Sequence, residues 1–247
     1  MKVLATYSIK GGVGKTTSAI NLAHEAASAG TRVLLWDLDP QGAATYFFRV
    51  EPKVKGGSRR LVSAKGALAP HVRAADLAGL HVVPADFSLR HLDLQLDHSK
   101  RPTRRLADLL APLADQYDLA LLDCPPGISL TSESVFGAAD ALLVPTIPTT
   151  LSARTLDQLF AFFHADPGGP AILPHFSMVD RRKRLQRQLV ESLAAERPSF
   201  LATVIPNASA IERMGTERAP VAVFAPRTAA AQAYRRLWAE LSDRLWP

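Results

Sequence analysis

A glycine-rich stretch near the N-terminus constrains the fold of this chain more than any other feature. Residues 10–17 read Lys-Gly-Gly-Val-Gly-Lys-Thr-Thr, between an apolar run over residues 1–7 and small and apolar residues at helical spacing over 16–29. Glycine lets the backbone approach a phosphate closely, and the positive end of the following helix favours an anion there. The stretch therefore predicts a phosphate-binding loop with these nucleotide-binding residues: Gly11, Gly12, Val13, Gly14, Lys15, Thr16 and Thr17.

This loop contains two lysines. Lys15 is expected to reach the β- and γ-phosphates, and the hydroxyl of Thr16 is expected to coordinate magnesium. The common pattern of such loops has its first glycine at the position that Ile9 takes here, and Lys10 follows instead. A second lysine at a glycine cradle is repelled unless it meets an anion. The loop itself suggests a phosphate, either of its own nucleotide or of one across a dimer interface.

Strands and helices are predicted to alternate along the whole chain. The expected strands are residues 1–7, 31–38, 80–84, 117–123, 141–145, 171–178 and 200–205, with a short edge-like one at 221–224. The expected helices are residues 16–29, 106–114, one opening at Ser132, 151–164, 181–195 and 228–246. Residues 53–60 are expected to form an exposed loop. This alternation predicts an α/β fold, a doubly wound and mostly parallel sheet with helices on both faces, as a single domain over residues 1–247.

Three aspartates end predicted strands. Asp37 and Asp39 close the second one, and Asp123 closes the fourth. Ligands of open α/β sheets bind at the carboxyl ends of the strands, where these acids and the glycine loop are expected to meet. Phosphoryl transfer needs a metal, charge neutralisation and an oriented water, so a functional role is expected for Asp39 and Asp123. Asp37 is expected to brace the loop.

Positive charge is concentrated late in the chain. The net charge is +6 with a pI of 9.7, which favours a polyanionic partner such as nucleic acid. The densest cluster lies at the start of a predicted helix, where positive charge is unfavourable to the macrodipole and invites a compensating anion. A plain solvated face is the alternative. The cluster consists of Arg181, Arg182, Lys183, Arg184 and Arg187, and Arg213 is expected to extend it.

Other features limit the location of the chain. Its one cysteine, Cys124, excludes an internal disulfide, suits a reducing cytoplasm and is expected to be buried. No apolar run reaches the roughly 18 residues of a membrane span, and no signal peptide is expected. The last predicted helix is amphipathic and carries Trp238 and Trp246. It suits either a membrane surface or the cover of a sheet, and its apolar spacing favours the sheet.

Residues 10–17 resemble the deviant Walker A motif of the ParA/MinD group of ATPases. Residues 37–41 resemble its switch I, 117–123 its Walker B strand and 124–127 its switch II. The resemblance implies that Lys10 reaches across a nucleotide-sandwich dimer to the partner's phosphates. It also implies that Lys10, Lys15 and Asp39 are catalytic, with Asp39 orienting the attacking water. Thr16, Asp39 and Asp123 would then support Mg²⁺, with ATP as the nucleotide.

The resemblance extends along most of the chain. Residues 204–207 look like the segment flanking the adenine ring, which makes Pro206 and Asn207 candidates for the base pocket, although Pro-Asn is also ordinary turn chemistry. In segregating members of the group an equivalent basic surface binds DNA nonspecifically.

The function implied is a ParA-type ATPase that dimerises with ATP, binds DNA and positions a cargo. A small activating partner protein and a cytoplasmic, nucleoid-associated location are implied with it, and an N-terminal helix-turn-helix is not expected. The alternative is a MinD-like ATPase that cycles on a membrane. A metal-cluster carrier is less expected, because no Cys-x-x-Cys pair is present.

Overall fold

The fold is seen in a computed structural model that describes residues 1–63, 65–164 and 168–246. Its strands are β1 Lys2–Thr6, β2 Val33–Asp37, β3 Arg73–Ala74, β4 Leu80–Val83, β5 Leu119–Asp123, β6 Ala141–Thr146 and β7 Ala171–Phe176. Its α-helices are α1 Lys15–Ser28, α2 Ala43–Phe47, α3 Gly57–Leu61, α4 Leu92–Asp97, α5 Arg105–Leu110, α6 Leu130–Phe136, α7 Thr150–His164, α8 Arg184–Glu196, α9 Ser209–Glu212, α10 Met214–Glu217, α11 Val221–Phe224 and α12 Ala229–Leu245. Short 3₁₀ helices cover Ala69–His71, Phe87–His91, Pro102–Arg104 and Ala111–Leu113.

The strands form one sheet in the order β3-β4-β2-β5-β1-β6-β7. Every pairing is parallel except that of β3 with β4. The central strands β2 and β5 are buried along their full length, which explains why they are continuous apolar runs rather than alternating ones. The carboxyl ends of β1, β2 and β5 therefore meet at one edge, since Thr6 and Asp37 both lie beside Asp123 in register.

Helices cover both faces of the sheet, as predicted. On one face Leu4, Leu35 and Leu121 pack with α1 and α12 through Ile20 and Tyr234. On the other face Trp36 and Leu122 belong to a second core that includes residues of α4, α5, α6 and α7. The α/β class and the doubly wound, mostly parallel arrangement are confirmed.

Two predicted strands are wrong. Residues 200–205 form no strand, although Leu201 N–H and Ile205 N–H each donate to a β7 carbonyl at 2.8 Å. The carboxylate of Glu240 on α12 accepts from the amides of Ala202 and Thr203, so this segment's donors are taken by a side chain instead of a ladder.

The second wrong strand, 221–224, is the helical turn α11. Pro220 precedes the turn, and the Val221 N–H donates a hydrogen bond to Oδ1 of the buried Asn21 at 2.9 Å. An apolar run of four residues suits a strand and a helical turn equally well, so periodicity could not separate them.

Two boundaries also differ from the prediction. Residues 53–60 are not simply an exposed loop, because α3 begins at Gly57 and buries Ser58, whose hydroxyl donates to Ser88 O at 2.7 Å. The helix predicted over 181–195 begins only at Arg184, and Arg181–Lys183 form a turn before it. Three of the five residues in the cluster of residues 181–187 therefore lie in this turn and not in the helix.

The last helix, α12, uses its apolar face for the core. Thr228 caps it by accepting from Ala231 N–H, and Tyr234, Leu237, Trp238 and Leu241 are buried. Trp246 follows the helix and is 40% exposed. No helix in the described part of the chain is both long and apolar enough to cross a bilayer.

Candidate functional site

The glycine loop connects the end of β1 to the first turn of α1. Gly12 and Gly14 have φ angles of 71° and 100°, in the left-handed region that favours glycine. A Cβ at Gly14 would also lie 2.9 Å from the hydroxyl of Ser177, which follows β7. The loop is thus shaped by its glycines and packed against the segment after β7, as a close approach of backbone to a ligand requires.

Lys15 lies inside the loop and is 7% exposed. Its ammonium group donates to the carbonyl of Lys10 at 3.1 Å, so the loop closes around its own lysine. Burial lowers the pKa of Lys15, and the nearby acids Asp123 and Asp39, with Cys124, oppose this shift. The structure therefore brings the predicted phosphate-binding lysine next to the predicted metal-binding acids.

Asp123 is fully buried at the end of β5. Its Oδ1 accepts from the Thr6 hydroxyl at 3.3 Å, and its Oδ2 has no hydrogen-bond partner among the described residues. Burial raises the pKa of Asp123 well above its usual range; Asp37 and Asp39 add to this, while Thr16 and Lys15 oppose it. A buried carboxylate with an unpaired oxygen beside a threonine hydroxyl is a donor set that fits a cation.

Asp37 and Asp39 occupy the turn after β2 in different ways. Asp37 is buried, and it accepts from the Thr45 amide at 2.8 Å and hydroxyl at 2.7 Å, and from the Asp39 amide at 3.2 Å. Burial raises its pKa to about 6 against the effect of these bonds. Asp39 is half-buried, and its Oδ1 accepts from the Gln41 amide at 2.9 Å. Asp37 thus holds the turn from inside, and Asp39 remains accessible beside Lys15.

The turn after β5 is tied to the glycine loop. Gly127 N–H donates to Ile9 O at 3.1 Å, and the Tyr7 hydroxyl donates to Gly127 O at 2.9 Å. Burial raises the pKa of Tyr7 to about 12. Cys124 is buried, as predicted, and burial raises the pKa of its thiol well above the usual range, which makes it an inert core residue.

The predicted base-pocket residues lie beside the segment that follows β7. Pro206 forms an isolated parallel bridge with Val179, and Asn207 N–H donates to Val179 O at 3.0 Å. Ser177 and Met178 of the same segment lie near Gly14, and Met178 has a φ of 55°. Pro206 and the exposed Asn207 therefore lie next to residues 177–179, the segment that contacts the glycine loop.

The basic cluster is exposed but not uniformly charged. Arg182 pairs with Asp180 at 2.9 Å, and this pairing lowers the pKa of Asp180 to about 2. Arg187 donates to the carbonyl of Arg181 at 2.7 Å. Within the described residues no ion pair involves Arg181, Lys183, Arg184 or Arg187, so these four carry the free positive charge of the cluster.

Arg213 is engaged elsewhere. Its guanidinium bonds Glu217 at 2.6 Å, one turn along the chain, and lies 5.3 Å from the centre of the Phe224 ring. The expected extension of the basic cluster by Arg213 therefore has its charge already paired with a carboxylate.

Several residues that build the site were not predicted from the sequence. Thr6 and Thr45 hold Asp123 and Asp37, and Ser177 packs against Gly14. Their distance along the chain from their partners explains the omission, because no local spacing signals a contact between β7 and the glycine loop. Thr6 alone carried a signal, as the polar residue at the end of an apolar strand that adjoins the loop.

A glycine loop between a central strand and a helix, with acids on the adjacent strand ends, defines the class of P-loop nucleotide-binding proteins. A family model described as an AAA domain matches residues 1–165. The chromosome partitioning protein ParA of Caulobacter vibrioides is 32% identical, over 99% of this chain and 95% of its own length. The chain belongs to the ParA/MinD family of ATPases.

Solved structures agree with this fold. A McdA variant from Cyanothece in complex with ATP superposes with a TM-score of 0.84, at 20% identity, over 98% of this chain and 96% of its own. The septum site-determining protein MinD from Pyrococcus horikoshii, complexed with Mg-ADP, superposes with a TM-score of 0.79 at 21% identity, over 98% and 96%. ATP and Mg-ADP are bound in those two proteins, and the likeness shows that this chain shares their fold.

Proposed function

We propose that this chain is a Mg²⁺-dependent ATP hydrolase that positions or segregates a cargo. The observation that carries the proposal is the convergence of Lys15, Thr16, Asp39 and the unpaired Asp123 oxygen at the carboxyl edge of the sheet. Membership of the ParA/MinD family supports the same reading, since its relative in Caulobacter is a chromosome partitioning protein.

Thr16, Asp39 and Asp123 would hold the metal, directly or through water. Mg²⁺ is commonly held by one or two carboxylates together with substrate phosphates, which matches this small donor set. When bound, the metal supplies charge neutralisation between phosphate oxygens. The buried ammonium of Lys15 binds the β- and γ-phosphates, and the loop amides orient them. Accessible Asp39 orients the attacking water, while Asp37 keeps the turn in place.

Lys10 is the residue on which we base the proposed dimer. It is only partly buried, and its backbone carbonyl, rather than its side chain, bonds Lys15. Among the described residues its ammonium has no hydrogen bond or ion pair, so it can reach a phosphate on a second copy of the chain, which would make ATP the link of a sandwich dimer. Pro206 and Asn207 would border the adenine.

The output of the cycle is nonspecific DNA binding through the exposed cluster of residues 181–187. Unpaired Arg181, Lys183 and Arg184 would contact phosphates, with strong salt dependence and little sequence preference. Hydrolysis stimulated by a small partner protein would release the DNA, and the location would be the nucleoid in the cytoplasm. A membrane-cycling role is less favoured, because the apolar face of α12 is buried in the core.

The central test compares ATP turnover of the wild type and Asp39→Ala, with and without DNA. We expect Asp39→Ala to bind ATP with near wild-type affinity and to lose about 100-fold or more in turnover. The matched control Asp76→Ala removes a carboxylate outside the site and should retain the wild-type rate. Normal hydrolysis by Asp39→Ala would show that the catalytic assignment is wrong.

DNA retention has its own test. Lys183→Glu/Arg184→Glu reverses two unpaired charges, and we expect it to abolish ATP-dependent retention on a DNA column while ATP binding persists. Arg236→Glu/Arg244→Glu makes the same change of charge on the exposed side of α12 and serves as the control. Equal loss in both variants would indicate a net-charge effect and overturn the surface assigned to residues 181–187.

A further inference from the structure

A large groove of the described structure lies away from the glycine loop. It encloses about 840 Å³ between the end of α3 and the α4–α5 region. Small-molecule sites typically enclose about 300–1,000 Å³. None of its lining residues belongs to the glycine loop, the three aspartates or the basic cluster of residues 181–187. A ligand could therefore occupy it while the nucleotide site is filled.

Positive charge dominates the lining of this groove. Four basic side chains face one carboxylate, that of Asp108, which is already bonded to Arg101 at 3.1 Å. Arg105 donates to the backbone carbonyls of Val62 and Ser63, which hold its guanidinium in place without neutralising it. The groove thus keeps a fixed excess of positive charge.

The other two basic residues, Arg59 and Lys100, are exposed at the groove. Within the described part of the chain they have no ion-pair partner. Arginine and lysine with their donors unpaired in a concave site bind anionic oxygens through charge-assisted hydrogen bonds.

Two polar groups of the groove wall lack partners. The Oε1 atom of Gln95 and the hydroxyl of Ser99 are buried, and neither has a hydrogen bond among the described residues. Gln95 and Ser99 both line the groove, and a bound molecule can complete these hydrogen bonds when the side chains turn towards it. Serine can donate to an anionic oxygen, whereas the glutamine oxygen requires a donor such as a hydroxyl.

Apolar surface completes the groove. Leu94 of α4 is 67% exposed at its edge, and Val62 is buried in its wall. A bound molecule can therefore place a carbon skeleton against Leu94 while its charged oxygens meet Arg59 and Lys100. A flat polyanion surface such as DNA would not fill this concave groove.

We propose that this groove is a second binding site, for a small molecule that carries several anionic oxygens, as phosphates or carboxylates. It goes beyond the proposed ATPase function and does not depend on it. Its ligand would be recognised by Arg59, Lys100 and the fixed Arg105, with its carbon skeleton against Leu94.

Titration calorimetry on the full chain tests the site. The glycine loop is first saturated with a non-hydrolysable ATP analogue and Mg²⁺, so that added anions cannot bind there. Tripolyphosphate and citrate are the two probes, and we expect at least one of them to bind with one site per chain. Preference between them tells whether the site suits phosphates or carboxylates, and either result supports the proposal.

Matched variants locate the binding. Arg59→Gln/Lys100→Gln should lower the affinity for the probe by about tenfold or more. Arg60→Gln/Arg104→Gln removes the same charge from exposed neighbours that do not line the groove, and should bind as the wild type does. All four residues are exposed, and urea unfolding confirms that both variants fold.

Three outcomes would overturn the proposal. The first is that neither probe binds the wild type, and the second is equal binding by the groove and control variants. The third is that only a DNA duplex or an acidic peptide binds and loses affinity in Arg59→Gln/Lys100→Gln. That result would make the groove a macromolecular surface instead of a small-molecule site.

Discussion

Lys15 and Asp123 affect each other's protonation state. Lys15 is a buried cation, Asp123 is a buried acid, and each shifts the pKa of the other towards its charged form. Neither side chain is stable in its charged form alone, because burial disfavours an isolated charge. The site is therefore prepared for ligands that bring charge of both signs, as a magnesium nucleotide does.

Gly14 is the residue for which the loop tolerates least change. Gly14→Ala would place a Cβ 2.9 Å from Ser177 Oγ at a φ of 100°, so we expect the free energy of unfolding to fall by about 1–3 kcal/mol. Gly11→Ala is the control, since Gly11 has no positive φ and nothing within 4 Å of a Cβ. Urea unfolding without nucleotide measures both, and equal stability of the two variants would contradict this account.

His175 makes the stability depend on pH. It is fully buried in β7, and burial lowers its pKa from 6.5 to about 4. Below pH 6.5 the imidazole is protonated in the unfolded chain, whereas in the folded chain it stays neutral down to about pH 4. Its contribution to the free energy of unfolding is therefore complete above pH 6.5 and is lost as the pH falls. The loss amounts to about 3 kcal/mol by pH 4.

The variant His175→Gln removes this titration. We expect the free energy of unfolding of the wild type to fall between pH 7 and pH 4 more steeply than that of the variant, by the stated amount. Parallel pH profiles of the two proteins in urea unfolding would show that His175 is not the group responsible.

At the scale of elements, Thr45 joins three parts of the site. It lies in α2, its hydroxyl donates to Asp37 at the end of β2, and it accepts from the Ala85 amide after β4 at 2.8 Å. The turn that carries Asp39 therefore depends on a contact between a short helix and two strands.

Thr45→Val should disrupt this junction. The buried Ala85 amide would lose its acceptor, and the Asp37 carboxylate would lose one of its donors. We expect the free energy of unfolding to fall by about 2 kcal/mol and ATP turnover to be slower. Thr155→Val is the control, because among the described residues the Thr155 hydroxyl makes just one hydrogen bond, an exposed one of 2.9 Å to a carbonyl of its own helix. Equal unfolding midpoints for both variants would rule out the bracing role of Thr45.

At the scale of the whole molecule, the proposed function depends on the association of two copies. Lys10→Ala should prevent the dimer that a non-hydrolysable ATP analogue induces, and the exposed Lys55→Ala should not. Light scattering after size-exclusion chromatography measures both masses. A Lys10→Ala dimer of wild-type affinity would exclude the role of Lys10 across the interface.

Much of the fold could be predicted because buried parallel strands are apolar runs. β1, β2, β4, β5 and β7 lie within predicted segments, and β6 extends one residue beyond its predicted segment. The failures lie where a side chain from far away takes over a backbone donor, as Glu240 does for residues 202–203 and Asn21 for Val221. Such contacts have no local signal.

The site divides in the same way. The glycines, the lysines and the strand-end aspartates were visible because their chemistry depends on residue type and spacing alone. The pairing of Arg182 with Asp180 and of Arg213 with Glu217 was not, although it decides which positive charges remain free.

Residue type and spacing alone indicated a glycine loop between a strand and a helix, with acids at the ends of neighbouring strands. The folded chain was needed to show that Asp123 is fully buried, with one oxygen that has no hydrogen bond among the described residues, and that the Trp238 face of α12 lies in the core. Backbone conformation and residue chemistry are local, whereas burial and the partner of a charge depend on which segments the sheet brings together.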